Sequence, residues 1–165
     1  MKTLHCIVSL VVLFAVSAPA DAAIINWVAN LSGAQEVPPN ASLATGTGFG
    51  TYDTVTNLLS WTVIYAGMSG PLTGGHFHRA PVGVNGPIIV NIGTGASPIV
   101  GSIAIAESDE PSLLGGNVYI NLHTAAYPGG EIRGQVETPE PTTVTLMAAG
   151  LLAIASLRGR RNRSR

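Results

Sequence analysis

Apolar residues spaced two apart recur through the middle of the chain and predict β-strands. Residues 61–65 and 118–122 show the spacing most clearly. On a strand, side chains two apart project to the same face, so one face of each segment can be buried. The predicted strands span residues 24–31, 46–53, 58–66, 75–79, 87–92, 99–106, 117–122 and 131–136.

Turn-forming residues fall between these segments, mainly Gly, Pro, Asn and Asp, as in Asn85-Gly86-Pro87 and Pro128-Gly129-Gly130. No helix is predicted between residues 24 and 138. Eight short strands in this length predict an all-β domain, a single Greek-key β-sandwich or barrel.

The N-terminal segment 1–23 has the features of a secretory signal. Lys2 precedes an apolar run at 7–16, and Ala20 and Ala22 form an Ala-x-Ala cleavage pattern. The alternative is an uncleaved anchor, but the run is shorter than the ~20 residues that a membrane span needs. Cys6 is the single cysteine, so signal removal leaves no thiol and no disulfide in the mature domain.

The C-terminal segment 139–165 has three parts in order. Pro139, Glu140 and Pro141 precede an apolar stretch at 142–157 that predicts a transmembrane helix. The basic end orients this helix with its arginines in the cytoplasm and the β domain outside. These membrane-orienting arginines are Arg158, Arg160, Arg161, Arg163 and Arg165. The chain therefore divides into a signal helix at 1–23, a β domain at 24–138 and a tail at 139–165.

Charge excludes one class of partner. Between residues 24 and 138 the basic residues are Arg79 and Arg133, against a larger set of acids. Phosphate binding needs clustered positive charge, so nucleic acid is not an expected partner.

Three histidines form the candidate site. His76 and His78 are two apart on a predicted strand, and His123 ends another. Three imidazoles suit copper or zinc, so these residues are candidate metal ligands. The alternative is that they hydrogen-bond to loop backbone and fix the turn at 81–87.

Glu131 and Arg133, two apart, are interpreted as an ion pair or a cap on a neighbouring strand. We find no catalytic constellation: no nucleophile elbow, no phosphate-binding Gly motif and no argued carboxylate pair.

Five segments together resemble the CHRD domain: Leu31 to Pro39, Gly75 to His78, Asn85 to Pro87, Tyr119 to Thr124, and Tyr127 to Gln135. The chain departs from the family's pattern at Arg79-Ala80-Pro81. The resemblance spans about 25–136. It implies fold and location more than activity, because fold does not give function. A more distant similarity to copper/zinc superoxide dismutases rests on the His-x-His strand and the later histidine. The chain departs from that family in lacking the bridging histidine, the other zinc ligands and the disulfide cysteines.

The order Pro-Glu-Pro, apolar helix, basic end resembles the PEP-CTERM sorting signal of Gram-negative bacteria. This resemblance implies processing by an exosortase-type enzyme after transient anchoring in the inner membrane, and delivery to the cell envelope, the cell surface or the medium. A plain tail anchor without processing is the alternative. The sequence thus favours a non-catalytic surface or matrix protein with a binding or adhesion domain, with extracellular polysaccharide or surface proteins as partners. The other hypotheses are a copper- or zinc-binding metalloprotein with a dismutase-like histidine site, and protein-ligand binding by analogy with chordin.

Overall fold

The computed structural model describes residues 23–138 and Gly150. Apart from Ala23 and Gly150, the predicted signal helix and the predicted membrane helix lie outside the described residues. Within the described part, no helix has the length and apolar character needed to cross a membrane.

Eight strands and one short α-helix make up the described chain. Their bounds are β1 Ile24–Ser32, β2 Thr45–Asp53, β3 Leu58–Ala66, β4 Leu72–Arg79, β5 Ile88–Asn91, β6 Ile99–Ala104, α1 Glu110–Leu114, β7 Val118–Thr124 and β8 Ile132–Gln135. Two 3-10 turns, Gly33–Gln35 and Glu107–Asp109, complete the set. Each predicted strand overlaps one observed strand, which confirms the mostly β fold.

All eight strands belong to one antiparallel sheet, in the order β5-β4-β7-β8-β1-β2-β3-β6. The sheet curls into a half-barrel, in place of the two-sheet sandwich among the predicted architectures. Gly48 shows how closely the walls approach, since a Cβ there would lie 2.6 Å from the Ile120 side chain of β7. Missing side chains of this kind let the β1–β3 wall bend over the core.

Aromatic side chains fill the concave side of the half-barrel. Phe77 of β4 meets Trp27 of β1 and Trp61 of β3 edge to face, with ring centroids 5.6 and 5.8 Å apart. Such pairs are favourable beyond their buried area. Because Phe77 is fully buried, the inward direction of β4 is fixed, and the residues on either side of Phe77 must project outward.

The expectation of no helix in the middle of the chain is wrong. Residues 107–109 form a 3-10 turn that leads into α1, with Pro111 in the first helical turn and Glu110 at its start. Proline is compatible with the first turn, and acidic residues favour a helix N-terminus. The segment Asp109-Glu110-Pro111, interpreted as a breaker, is therefore a helix start, and Leu113 is fully buried.

The convex side of the sheet has two unlike halves. The outward side of β4, β7 and β8 is overlaid by three loops, residues 33–40, 80–87 and 126–130, and six of the seven β7 residues are buried. We call it the covered face. Exposed and buried residues alternate along β1, β2 and β3, and the outward side of these strands and of β6 has nothing above it in the described chain. We call it the bare face.

Candidate metal centre

Strand β4 presents two imidazoles to the covered face. His76 and His78 flank the buried Phe77, so both rings lie on the outward side, with centroids 5.5 Å apart. A slip of one residue would move Phe77 out of the core, which opposes any other register. The sequence prediction of a paired projection is therefore confirmed.

Strand β7 brings the third imidazole beside them. In the antiparallel register, His76 lies opposite Asn121 and Gly74 lies opposite His123. The ring centroids of His76 and His123 are 5.0 Å apart, and candidate ligand nitrogens of all three histidines lie within 4.8 Å of one another. The structure thus brings together all three residues singled out as candidate ligands.

Gly74 makes room for this convergence. A Cβ at this position would lie 2.9 Å from Cε1 of His76, closer than non-bonded carbon atoms approach. Any side chain here would require the His76 ring to shift from its present position. The glycine before the His-x-His pair is therefore part of the site's construction.

Two backbone carbonyls set the tautomers of His78 and His123. Nδ1 of His78 lies 2.9 Å from the Gly86 carbonyl oxygen, and Nδ1 of His123 lies 3.0 Å from the Pro128 carbonyl oxygen. A carbonyl only accepts, so each Nδ1 carries the hydrogen and each Nε2 presents a lone pair. Hydrogen bonds of this kind orient histidines that ligate metals. The predicted alternative of bonding to loop backbone therefore occurs at the same residues and is compatible with ligation.

The remaining nitrogens face one another. His76 Nδ1 lies 3.2 Å from His123 Nε2, and His78 Nε2 is buried without a hydrogen-bond partner among the described residues. Nitrogens bound to one ion at about 2.1 Å are spaced roughly 3.4 Å apart in a tetrahedron. The pair formed by His76 and His123 already has about that spacing, and the candidate ligand nitrogen of His78 lies within 4.8 Å of the other two.

The surroundings of His76 and His78 disfavour the protonated form of both side chains. Burial lowers the pKa of His76, and repulsion from His123 and His78 lowers it further. Burial also lowers the pKa of His78, and its bond to Gly86 only partly opposes this. Neutral imidazole is the form that binds metal, so protons compete weakly at these two residues.

Sequence reasoning missed Tyr119 as part of the site. Its ring stacks on His78 with centroids 4.8 Å apart and planes 7° apart. The Arg133 guanidinium carbon lies 3.4 Å from the centroid of the Tyr119 ring. Because β7 lies between β4 and β8, the tyrosine is sandwiched between the histidine and the arginine. The sequence did offer a signal, because Tyr119 and His123 are separated by an even number of positions on one strand and therefore project to the same face.

Of the two interpretations of Glu131 and Arg133, the ion pair is wrong. Glu131 precedes β8, and its carboxylate accepts four hydrogen bonds, from Ser42 and Thr124 hydroxyls and from the Ser69 amide and hydroxyl. Thr124 projects to the face opposite His123, so Glu131 and Arg133 lie on different sides of the sheet. In the described chain the salt bridge that forms joins Arg79 to Asp109, at 2.6 Å.

A second polar group on the covered face also escaped the sequence analysis. Glu36 is 5% exposed, and its Oε2 accepts a hydrogen bond of 3.2 Å from Nδ2 of Asn121. Burial raises the pKa of Glu36 to about 7, although the charge of Arg133 and the bond from Asn121 both act to lower it.

Two family models match the chain. The model of the CHRD domain matches residues 27–136, and the model of the PEP-CTERM protein-sorting motif matches residues 137–161. No curated protein and no solved structure shows a significant match. The sorting motif implies processing by an exosortase, export, and sorting to the cell envelope or surface. Because the CHRD match covers more than half of the chain and includes every strand apart from the first three residues of β1, the chain belongs to the CHRD domain family.

Proposed function

We propose that this exosortase-sorted protein carries a transition-metal ion, copper or zinc, outside the cytoplasmic membrane, held by His76, His78 and His123. The observation that carries the proposal is the convergence of three imidazoles whose nitrogens lie within 4.8 Å of one another. An unpartnered buried Nε2 on His78 supports it, because a buried polar atom without a partner is costly unless something binds there.

The donor atoms of the three side chains limit which metal ion the site suits. Three nitrogen donors with no carboxylate among them suit copper and zinc better than magnesium or calcium, which prefer oxygen ligands. Three protein ligands also leave one coordination position for water or an outside ligand. The proposal therefore covers metal binding or storage at the surface and assigns no reaction.

Equilibrium dialysis of the envelope-purified protein against zinc or copper, followed by elemental analysis, tests this function. We expect about one ion per chain. Loss of binding is expected in the separate variants His76→Ala, His78→Ala and His123→Ala. Asn91→Ala is the matched control, because Asn91 lies opposite His76 on β5 but carries no imidazole. Absence of stoichiometric metal from the folded wild-type protein would overturn the proposal.

The bare face favours a second candidate function, adhesion to extracellular polysaccharide. Val28, Phe49, Thr62 and Val100 are aligned by strand register across four strands. The three apolar members are 45%, 44% and 69% exposed. Exposed apolar and aromatic groups amid hydroxyls on the outside of a sheet can pack against sugar rings, and such patches mark interaction sites.

Co-sedimentation of the protein with polysaccharide from the producing cells tests the adhesion candidate. We expect the double variant Phe49→Ser/Val100→Thr to stay in the supernatant. Leu43→Ser is the control, because Leu43 is 94% exposed but lies in the loop between β1 and β2. Equal sedimentation of the wild-type protein and the double variant would remove this candidate.

A further inference from the structure

One loop, residues 80–87, connects the candidate metal centre to the rest of the covered face. Its Gly86 carbonyl accepts the hydrogen bond from His78 Nδ1, and the Gly86 amide donates to the Tyr119 hydroxyl at 3.1 Å. Both groups of Gly86 are therefore engaged with the site. The position of this peptide determines which His78 nitrogen carries the hydrogen.

Arg133 holds the same loop from the other side. Its guanidinium donates to the Val84 carbonyl at 2.9 Å, to Asn85 Oδ1 at 3.1 Å and to the Pro81 carbonyl at 3.4 Å. A lysine could not reach this set, because its ammonium is a single point on a flexible stem while the guanidinium is a planar fork. The side chain is 2% exposed, so these contacts are shielded from water.

Electrostatics alone does not explain a buried arginine here. Burying a cation is costly, and a positive charge behind the histidines opposes the binding of a metal cation. Arg133 forms no salt bridge within the described residues. Its contacts are instead loop carbonyls, one amide oxygen and the face of the Tyr119 ring, all of which position groups around His78.

We propose that Arg133 is a positioning residue of the metal centre, which clamps the 80–87 loop against Tyr119 so that the Gly86 carbonyl keeps His78 in its Nδ1–H form with Nε2 free for the ion. The part of this inference that concerns metal affinity rests on the proposed function. The part that concerns the His78 tautomer stands on the hydrogen bonds of the metal-free protein.

Two variants loosen the clamp to different degrees. Arg133→Lys keeps the positive charge but loses the fork and the stacking on Tyr119. Asn85→Ala removes one acceptor of Arg133 and also the bond from Asn85 to the Val37 carbonyl, at an exposed position where folding should survive. Arg79→Lys is the matched control, because Arg79 is the other arginine of the described chain and pairs with Asp109.

The experiment uses protein purified from the envelope and has two readouts. Long-range ¹H–¹⁵N spectra of the metal-free protein report which nitrogen of His78 carries the hydrogen. Zinc titration reports affinity. We expect Arg133→Lys to give a mixture of His78 tautomers and zinc affinity lower by about 10–100-fold, as for lost outer-shell partners of a ligand. Asn85→Ala should shift both readouts less, and Arg79→Lys should match wild type.

The outcomes separate this inference from the proposed function. If the wild-type protein binds no zinc, metal binding fails, and the tautomer spectra alone decide whether Arg133 positions His78. If Arg133→Lys does not fold, the tautomer spectra and the zinc affinity of Asn85→Ala decide whether the loop contacts of Arg133 position His78. A single Nδ1–H form and unchanged zinc affinity in the folded variants would overturn the positioning role.

Discussion

The covered face and the bare face are built on the same sheet but use their outward residues in opposite ways. On the covered face, Tyr119 is sandwiched between His78 and Arg133, and its hydroxyl accepts the Gly86 amide. On the bare face, Phe49 occupies an equivalent outward position and is 44% exposed, with no aromatic or cationic partner in the described chain. On the covered face, contacts with neighbouring groups fix the positions of the side chains, whereas on the bare face the side chains contact solvent.

This difference shows that buried polar side chains and their hydrogen bonds gather on the covered face. Loops 33–40, 80–87 and 126–130 are held over the covered face by hydrogen bonds from side chains, such as those from Asn40 to the Gly130 and Glu131 carbonyls. Buried polar groups must be satisfied, so each partner constrains the next. The bare face lacks such constraints, and its residues need only favour a strand.

The sharpest test of the comparison replaces one aromatic residue on each face. Tyr119→Ala should lower the free energy of unfolding by about 3–5 kcal/mol, because it removes a buried ring from between two packed groups. Urea unfolding followed by tryptophan fluorescence measures the change, since Trp27 and Trp61 report on the core.

Phe49→Ala is the matched control for Tyr119→Ala. We expect it to cost about 1 kcal/mol or less, because roughly half of its ring surface is already in water. Equal losses in the two variants would show that the covered face is no better packed than the bare face.

A smaller effect, dependent on pH, is expected at Glu36. Burial raises its pKa to about 7 in the folded protein, against an ordinary value of 4.5. A carboxyl whose pKa is raised on folding stabilises the protein most at low pH, and this contribution is lost as pH rises from 4.5 through 7. Glu36→Gln mimics the protonated acid and should remove up to about 2 kcal/mol of that pH dependence, discounted for partial hydration of the group.

Urea unfolding at pH 5 and pH 8 measures this effect in the wild type and the variant. Relative to wild type, Glu36→Gln should be near neutral at pH 5 and stabilised at pH 8. Glu137→Gln is the control, since Glu137 is exposed. If the free energy of unfolding falls equally with pH in the Glu36→Gln and Glu137→Gln variants, Glu36 does not keep its proton on the covered face.

The sequence predicted the parts of the molecule that depend on local spacing. All eight strands were found because period-two patterns and turn residues are local signals, and His76 and His78 were paired because strand spacing fixes their face. His123 was added to them on the expectation of an adjacent strand. The pairing of β4 with β7 had no local signal. It depends on strand order, which also decides that Tyr119 lies between His78 and Arg133. Glu36 escaped notice because its hydrogen-bond partner, Asn121 of β7, lies 85 positions away along the chain.

The smallest expected effect is on the bare face. Val100→Thr should change the free energy of unfolding by less than about 0.5 kcal/mol, because Val100 is 69% exposed on an edge strand and threonine keeps the branched shape that suits a strand. Urea unfolding at pH 7 measures this change, and Val63→Thr, at the buried position of β3 that pairs with Ile99, is the contrasting substitution. There a hydroxyl enters the apolar core without a partner, and a cost above about 1 kcal/mol is expected. A comparable loss at Val100 would mean that its side chain is packed against something in solution, and that this part of the sheet is not bare.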